Sequence, residues 1–196
     1  MEVQIVGKIV AITGNATLKH NGETIQLSLD SPVFKGATLK TGPDSHVEVR
    51  FIDDTMLSQS EKTEISIDNY VYDQPDSAPA LLLKLGEGTL RSITGKIAEE
   101  NPESFRLESP LASIGIRGTD FTFIHDPSTG SRVVLNQISE NHILLVNDQF
   151  GNIRYLNDPS TFVAVLEDRP ISTVEFLSKA ERDELLLETP FTTLEN

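Results

Sequence analysis

Short segments in which apolar and polar side chains alternate, separated by turn residues, recur along most of the chain and constrain its fold. In residues 46–51, Val47, Val49 and Phe51 alternate with polar side chains, which is the period of a strand with one buried face. Roughly a dozen such segments, spaced by about 8–12 residues, predict an all-β fold. We expect many short strands in a sandwich, a roll or a barrel-like arrangement.

One pair of segments carries a clear hairpin signal. Asn21-Gly22 separates two alternating runs, and this dipeptide favours a two-residue hairpin turn because both residues tolerate positive φ. We predict a hairpin over residues 16–29, with Ile25, Leu27 and Leu29 on one face.

The C-terminal region has a different pattern. Residues 173–188 lack Gly and Pro and are rich in Leu and Glu, which predicts one C-terminal helix that ends at Thr189-Pro190. Capping-box patterns begin at both Ser172 and Ser178, so two starting points are available. The residues expected on the buried face of this helix are Val174, Leu177, Ala180 and Leu185.

The acidic composition limits the classes of partner. The chain has 196 residues and a formal net charge of −14, and such a surface repels nucleic-acid phosphates and anionic lipid. We therefore expect no nucleic-acid partner, whereas basic proteins and divalent cations are compatible with this charge. The chain has no cysteine, which excludes disulfides, thiolate metal sites and cysteine nucleophiles.

The apolar residues are too dispersed for a membrane span. No run approaches the length of about 18 apolar residues that indicates a transmembrane helix, so we expect no membrane-spanning segment. The first residues lack the basic flank and the apolar stretch of a signal peptide. Two explanations stay open: export does not use that route, or the sequence is a trimmed form.

Residues 109–121 form the most distinctive motif of the chain. Gly115 and Gly118 stand three positions apart among apolar residues. This spacing is typical of a tight backbone path, because glycine takes positive φ at little cost. We interpret the motif as a structural element of the β core.

The polar residues of this motif are Arg117, Thr119 and Asp120. Arg117 is a candidate contact to a partner or an anion, with neighbouring amides forming an anion-binding concavity. The alternative is an internal ion pair with Asp120, or hydrogen bonds from Arg117 to backbone carbonyls. Both interpretations stay open.

A weak internal echo is present as well. Ser31-Pro32 followed by Lys40-Thr41-Gly42 is similar to Ser109-Pro110 followed by Arg117-Gly118-Thr119. Either a duplicated β unit or coincidence among glycine-rich strands explains it.

Several motifs together resemble the FecR domain family, an extracytoplasmic module named for ferric-citrate transport regulators. The resemblance covers about residues 5–125 and continues more loosely to residue 166. The segment at residues 109–121 is the most specific part. The other matching segments are residues 7–9 with Gly14, 40–45, 47–51, 53–55, 86–91, 94–98 and 101–102.

The resemblance implies an all-β module, periplasmic or otherwise extracytoplasmic, that contacts a protein partner at the bacterial envelope in signalling or surface-protein assembly. It implies no enzyme activity and no cofactor. We expect a β domain over residues 1–166 and a helical tail over residues 167–196. Two alternatives stay open: a domain that senses a small ligand or a cation, and a structural piece of a larger surface protein.

The chain departs from the family pattern at Ser109, where threonine is usual, and in the turn at residues 53–55. Asp53-Asp54-Thr55 stands where the family usually has Asp-Gly-Thr, and aspartate tolerates the left-handed backbone of such a turn. Asp53 and Asp54 are candidate contacts to a ligand or partner. The regulator subclass also carries a cytoplasmic tail and a transmembrane helix before the domain, and the resemblance does not extend to those segments.

Signatures of metal and catalytic sites are weak. The four histidines, at positions 20, 46, 125 and 142, have no paired spacing, and no Asp-x-Asp-x-Asp-Gly loop is present, so we expect no metal site. No Gly-x-Ser-x-Gly elbow marks a nucleophile, and we assign no catalytic residue.

Overall fold

A computed structural model of the chain describes residues 3–100, 102–116, 118–139 and 142–192. Strands make up 55% and helices 9% of it, which confirms the predicted all-β class. The predicted C-terminal helix is α2, Lys179–Glu188, and a short helix α1, Lys96–Glu100, precedes a 3-10 turn at Pro102–Ser104. Neither helix has the length and apolar character that crossing a bilayer requires.

Seventeen strands lie in the described part of the chain. They are β1 Ile5–Thr13, β2 Ala16–His20, β3 Glu23–Gln26, β4 Pro32–Phe34, β5 Thr38–Thr41, β6 His46–Phe51, β7 Met56–Gln59, β8 Glu64–Val71, β9 Ala80–Ile93, β10 Phe105–Glu108, β11 Ala112–Ile116, β12 Thr119–Asp126, β13 Gly130–Ile138, β14 Leu144–Asp148, β15 Ile153–Leu156, β16 Thr161–Val165 and β17 Glu175–Phe176.

These strands form two sheets with the core between them. The front sheet has the order β4-β1-β6-β7-β9-β12-β13-β16-β17. The back sheet has the order β3-β2-β5-β8-β9-β10-β11-β14-β15. Phe105 of the back sheet meets Phe121 of the front sheet edge to face, with ring centroids 6.2 Å apart. The sheets do not close into a barrel, so the fold is an open sandwich.

Strand β9 belongs to both sheets. Its first half pairs with β8 and β10, and its second half pairs with β7 and β12. The segment Gly86-Glu87-Gly88 is a bend within this one strand. Gly88 has φ +100°, and a Cβ there would lie 2.5 Å from Thr63 Cα. Only glycine fits this bend without displacing the neighbouring backbone.

Six strand pairings occur twice along the chain. The pairings β1–β6, β2–β5, β5–β8, β6–β7, β7–β9 and β8–β9 recur as β9–β12, β10–β11, β11–β14, β12–β13, β13–β16 and β14–β15, all antiparallel. Each recurrence falls in the same sheet as its counterpart. Gly42 lies between β5 and β6, and Gly118 lies before β12 in the equivalent connection of the second unit. These two glycines also correspond in the weak internal repeat of the sequence. The strand order therefore supports a duplicated β unit.

The segment after β16 covers the outer face of the front sheet. Leu177 and Leu185 pack against Val134. Thr192 donates two hydrogen bonds to Glu48 Oε1, from its backbone nitrogen at 2.8 Å and from its hydroxyl at 2.6 Å. The described part of the predicted tail therefore contacts the sheet. We call residues 189–192 the C-terminal strap.

Of the two starting points that the sequence offers for the C-terminal helix, the structure uses the second. The helix begins at Lys179, because Ser178 and Glu181 form a complete capping box. The Ser178 hydroxyl accepts a bond from the Glu181 backbone nitrogen at 3.3 Å, and the Glu181 carboxylate accepts one from the Ser178 backbone nitrogen at 2.9 Å. The earlier capping pattern is not used, since residues 175–176 pair with β16 as β17.

The predicted buried face of this helix is correct in part. Leu185 lies in α2 and is buried, and Leu177 is buried just before the helix, whereas Val174 and Ala180 are exposed. The later start of the helix changes which positions face the sheet, and this explains the difference.

The predicted hairpin is present as β2 and β3 around Asn21-Gly22, but β3 ends at Gln26, before Leu27 and Leu29 of the predicted face. Leu27 is buried, whereas Ile25 and Leu29 are exposed. Ile25 is exposed because β3 pairs only with β2 in the described structure and lies at the edge of the back sheet, and Leu29 lies in the turn that follows the strand.

The strap generates a stability prediction. Phe191 of the strap is 5% exposed and Phe176 of β17 is 71% exposed. Both lie in the segment after β16, so they form a matched pair. We expect Phe191→Ala to lower the free energy of unfolding by about 3 kcal/mol, because it opens a cavity under the strap. Phe176→Ala should change it by less than about 0.5 kcal/mol. Urea denaturation measures both, and equal losses would show that the strap does not pack in solution.

Candidate functional site

The motif at residues 109–121 carries the chain from the back sheet to the front sheet. Gly115 lies in β11 between Arg106 and Leu145 of the neighbouring strands. Among the described residues, no atom lies within 4 Å of the position that a Cβ on Gly115 would take. Arg117 lies outside the described residues.

Gly118 adopts the left-handed backbone that the motif predicts. Its φ is +57°, and a Cβ there would lie 2.4 Å from Nδ1 of His142. The imidazole ring of His142 therefore packs directly on the glycine, and any side chain at position 118 has to displace it.

Thr119 fixes the start of β12 to the end of β9. Its backbone nitrogen donates to Thr94 Oγ1 at 2.9 Å, and its carbonyl accepts from the Thr94 backbone nitrogen at 3.1 Å. Gly95, which follows Thr94, connects these two motifs to the turn at residues 53–55. Its backbone nitrogen donates to Thr55 Oγ1 at 3.0 Å. Three segments that resemble the family in sequence thus meet in space.

Asp120 is buried and fully engaged. Arg91 holds its carboxylate in a bidentate ion pair, with Nε 2.9 Å from Oδ1 and Nη2 2.6 Å from Oδ2. Asn136 Nδ2 adds a third bond at 3.0 Å. Bidentate pairs of this kind combine strength with fixed geometry. Asp120 therefore has Arg91 as its ionic partner among the described residues, in the role for which the sequence suggests Arg117.

Arg91 also connects this pair to the strap. Its Nη1 donates to the carbonyl of Thr189 at 3.4 Å, and its guanidinium lies 4.9 Å from the centre of the Phe191 ring. Sequence reasoning missed this role, although Arg91 ends one of the segments that resemble the family. The sequence signal for this role is that Arg91 is a polar residue directly after Leu90 in an alternating strand.

Asp53 lies in the core rather than on the surface. Its carboxylate accepts bonds from the hydroxyls of Thr55 at 2.7 Å and Tyr70 at 3.1 Å, and from the Ile97 nitrogen at 3.3 Å. Burial, together with the nearby Asp53 carboxylate, raises the pKa of Tyr70 far above its usual value. Asp53 thus fixes the turn from inside, where a partner cannot reach it.

Asp54 has the opposite environment. It takes φ +66° and is half exposed between two cations, with Arg50 Nη2 2.6 Å from Oδ1 and Lys96 Nζ 2.7 Å from Oδ2. Hydrogen bonds from Lys96 and Arg50 lower the pKa of Asp54 to about 2. Its carboxylate is therefore ionised at neutral pH.

Asp54 borders a surface groove of about 410 Å³. Two exposed isoleucines, Ile5 and Ile52, line it beside Lys8 and Arg50. Exposed apolar side chains with a charged rim are typical of interaction sites. In a chain of charge −14, this surface has three cations, Lys8, Arg50 and Lys96, against the carboxylates of Asp54 and Asp30, with Lys8 Nζ 2.8 Å from Asp30 Oδ1. We call it the Ile52 patch, and it consists of Ile5, Lys8, Arg50, Ile52, Asp54 and Lys96.

These motif residues stabilise the fold in the described structure. The side chains of Asp53, Thr94 and Asp120 and the backbone of Thr119 bond to other parts of the protein. Within the described ranges, no three His, Asp or Glu side chains come together in a way that would hold a metal ion. The charged turn around Asp54 is a part of these motifs that is exposed to solvent.

The FecR family model, described as FecR protein, matches residues 37–139. The match covers more than half of the chain. The chain belongs to the FecR family. This confirms the family resemblance, and the matched range includes the turn at Asp53 and the residues from Gly115 to Asp120.

The fold is also similar to solved structures. Two crystal structures of a candidate anti-sigma factor from Parabacteroides distasonis match with a TM-score of 0.54 and 15% sequence identity. The match covers 71% of this chain and 59% of that protein, so this chain spans about three fifths of its length. At this identity the likeness concerns the fold. No curated protein matches the chain significantly.

The packing of Gly118 against His142 generates a second prediction. Gly118→Val should lower the free energy of unfolding by at least about 1 kcal/mol more than Gly22→Val. Both residues have positive φ, but only open space lies beside Gly22. The pair therefore separates contact with the ring from backbone strain. Equal losses in thermal or urea unfolding would contradict the observed contact.

A third prediction concerns pH. Burial lowers the pKa of His46, although Glu48 and the Pro190 backbone oppose this shift. The unfolded chain therefore takes up this proton at higher pH than the folded chain, and stability falls as the pH drops below about 6.5. We expect His46→Gln to reduce the loss of unfolding free energy between about pH 7 and pH 5. Identical slopes in wild type and variant would contradict this.

Proposed function

We propose that this chain is a non-enzymatic FecR module of the bacterial envelope that acts in signalling through contact with a partner protein. The observation that carries the proposal is that the motif residues Asp53, Thr94 and Asp120 are bonded inside the protein, while the Ile52 patch stays exposed. Family membership supports a periplasmic or otherwise extracytoplasmic location. The similar fold of a candidate anti-sigma factor supports a role in regulation.

The Ile52 patch fits a partner segment that is both apolar and acidic. Ile5 and Ile52 would lose water on contact, at roughly 25 cal/mol for each Å² of apolar surface buried. Arg50 and Lys96 would pair with carboxylates of the partner, and such complementary charges speed association and orient the complex. Asp54 is the candidate contact that the structure leaves accessible, and Arg117 stays a candidate on sequence grounds.

The experiment is affinity capture from envelope extract with the immobilised chain as bait. We expect a specific envelope protein, identified by mass spectrometry, that the double variant Arg50→Glu/Ile52→Glu no longer retains. Leu187→Glu is the matched control, because Leu187 is a highly exposed apolar residue on α2, outside the patch. Circular dichroism confirms that all three proteins are folded.

Two outcomes would contradict the proposal. If no envelope protein is captured above a cytoplasmic background, contact at the envelope is wrong. If the patch variant and the Leu187 variant retain the same partner equally, the patch is not the contact surface.

A further inference from the structure

The strap lies in a groove on the outer face of the front sheet. The pairing register places Glu48 of β6, Ser58 of β7 and Arg91 of β9 in one row across three neighbouring strands. Ser58 is small and buried, so it forms the floor between two longer side chains. His46 Nε2 lies 2.8 Å from the Ser58 hydroxyl oxygen, and His46 also interacts with the Pro190 backbone. We call His46, Glu48, Ser58 and Arg91 the strap groove.

The groove holds the strap through backbone groups and through two of its side chains. Arg91 Nη1 donates to the Thr189 carbonyl at 3.4 Å, and its guanidinium lies over the Phe191 ring. The backbone nitrogen and the hydroxyl of Thr192 both donate to Glu48 Oε1. The groove therefore recognises an aromatic residue that is followed directly by a residue with a hydroxyl group.

These contacts need only a short segment of chain. Arg91 and Glu48 stand two strands apart, which is a distance of about 10 Å. Three residues of chain reach about as far, and the contacts of the strap run from residue 189 to residue 192. A short segment of another protein can therefore make the same contacts.

The connection between α2 and the strap has an unfavourable charge. Glu184 and Glu188 belong to the C-terminal half of α2, which has no basic residue in its last turn. Carboxylates at the C-terminal end of a helix oppose its dipole. Burial, together with the carboxylates of Glu184 and Glu61, raises the pKa of Glu188. The strap thus makes specific contacts in the groove but follows a residue whose charge disfavours its position.

A segment of another protein can avoid this repulsion. With lysine or arginine in the place of Glu188, it would bring a cation next to Glu184 and Glu61 and keep the groove contacts. An empty groove is costly, because Glu48 is buried and would lose its two bonds from Thr192. Exchange of one occupant for another is therefore favoured over simple opening.

We propose that the strap groove is a peptide-binding site that the strap occupies within its own chain, and that a segment of a partner protein displaces the strap. The partner segment has a basic residue, two further residues, an aromatic residue and then serine or threonine. Because both occupants use the same groove, the strap limits binding of the partner. The groove consists of residues outside the Ile52 patch, and this inference goes beyond the function proposed above.

The test uses a fluorescein-labelled peptide of residues 188–192 that carries the change Glu188→Lys. Fluorescence anisotropy should show saturable binding to the full chain at protein concentrations up to about 1 mM. A second peptide that also carries Phe191→Ala should bind at least about tenfold more weakly, since it lacks the ring that lies over Arg91. Nuclear magnetic resonance should place the largest backbone amide shifts in β6, β7, β9 and the strap.

A matched pair of variants of the full chain tests displacement of the strap. Thr192→Val removes the hydroxyl donor to Glu48 with little change in shape, and Thr173→Val changes an exposed threonine outside the strap. We expect Thr192→Val to tighten peptide binding at least about fivefold, because apparent affinity rises with the fraction of chains whose groove is open. Thr173→Val should leave the affinity unchanged.

A second matched pair tests the role of charge. We expect Glu188→Lys to weaken peptide binding at least about threefold, because the strap then competes better for the groove. Glu23→Lys makes the same change in charge on β3 of the back sheet and should have no effect. Ile52→Glu should also leave peptide binding unchanged, which separates this result from the envelope capture experiment.

Three results would overturn the proposal. The first is the absence of saturable peptide binding to the Thr192→Val chain, and the second is equal affinity of the Thr192→Val and Thr173→Val chains. The third is a concentration-dependent dimer of the wild-type chain in sedimentation that the peptide dissociates. In that case the occupant of the groove would be the strap of a second copy of the chain.

Discussion

The arrangement of both sheets depends on one strand that has to hydrogen-bond in two directions. The 14 residues of β9 lie between β8 and β10 in the back sheet and between β7 and β12 in the front sheet. The chain therefore changes sheets at Gly88, where the close approach of Thr63 leaves no room for a side chain. Because β9 completes the pairings of the first unit and begins those of the second, the two units share one hydrogen-bonded strand instead of meeting across a surface.

The second half of β9 also organises the polar centre of the molecule. Arg91 stands on this half, between Asp120 of β12 and the strap. A buried carboxylate without a partner is costly, and removing one member of a buried ion pair is strongly destabilising. We infer that the motif from Gly115 to Asp120 serves the family mainly by fixing β12 against β9.

Much of the fold could be predicted from the sequence, because most strands bury one face and their alternation is therefore visible. The exceptions have physical reasons. Ile25 alternates correctly but lies on an edge strand, where position in the sheet decides burial. Two capping boxes were available for α2, and pairing of residues 175–176 with β16 excluded the first. Local sequence holds no information on such long-range competition.

Several residues of the candidate site could be predicted, but the residues to which they bond could not. The motif glycines and Asp120 were found from composition and spacing, but Arg91 lies 29 positions before Asp120, and only the topology brings them together. Asp53 and Asp54 are adjacent in sequence yet lie in opposite environments, because the turn directs one carboxylate to Tyr70 and the other to Lys96. The strap escaped prediction because Thr189-Pro190 marks the end of a helix without indicating where the following residues dock.

The strap has a consequence for the order in which the chain folds. Its contact between Thr192 and Glu48 joins residues 144 positions apart, and contacts of such long range slow folding, since the loop has to close before they form. Until residues 171–192 are available, Val134 and Phe162 lack their apolar cover. A chain that emerges from the ribosome or crosses a membrane in one direction can pair most of its strands early. It completes the outer face of the front sheet only after residue 192 has emerged.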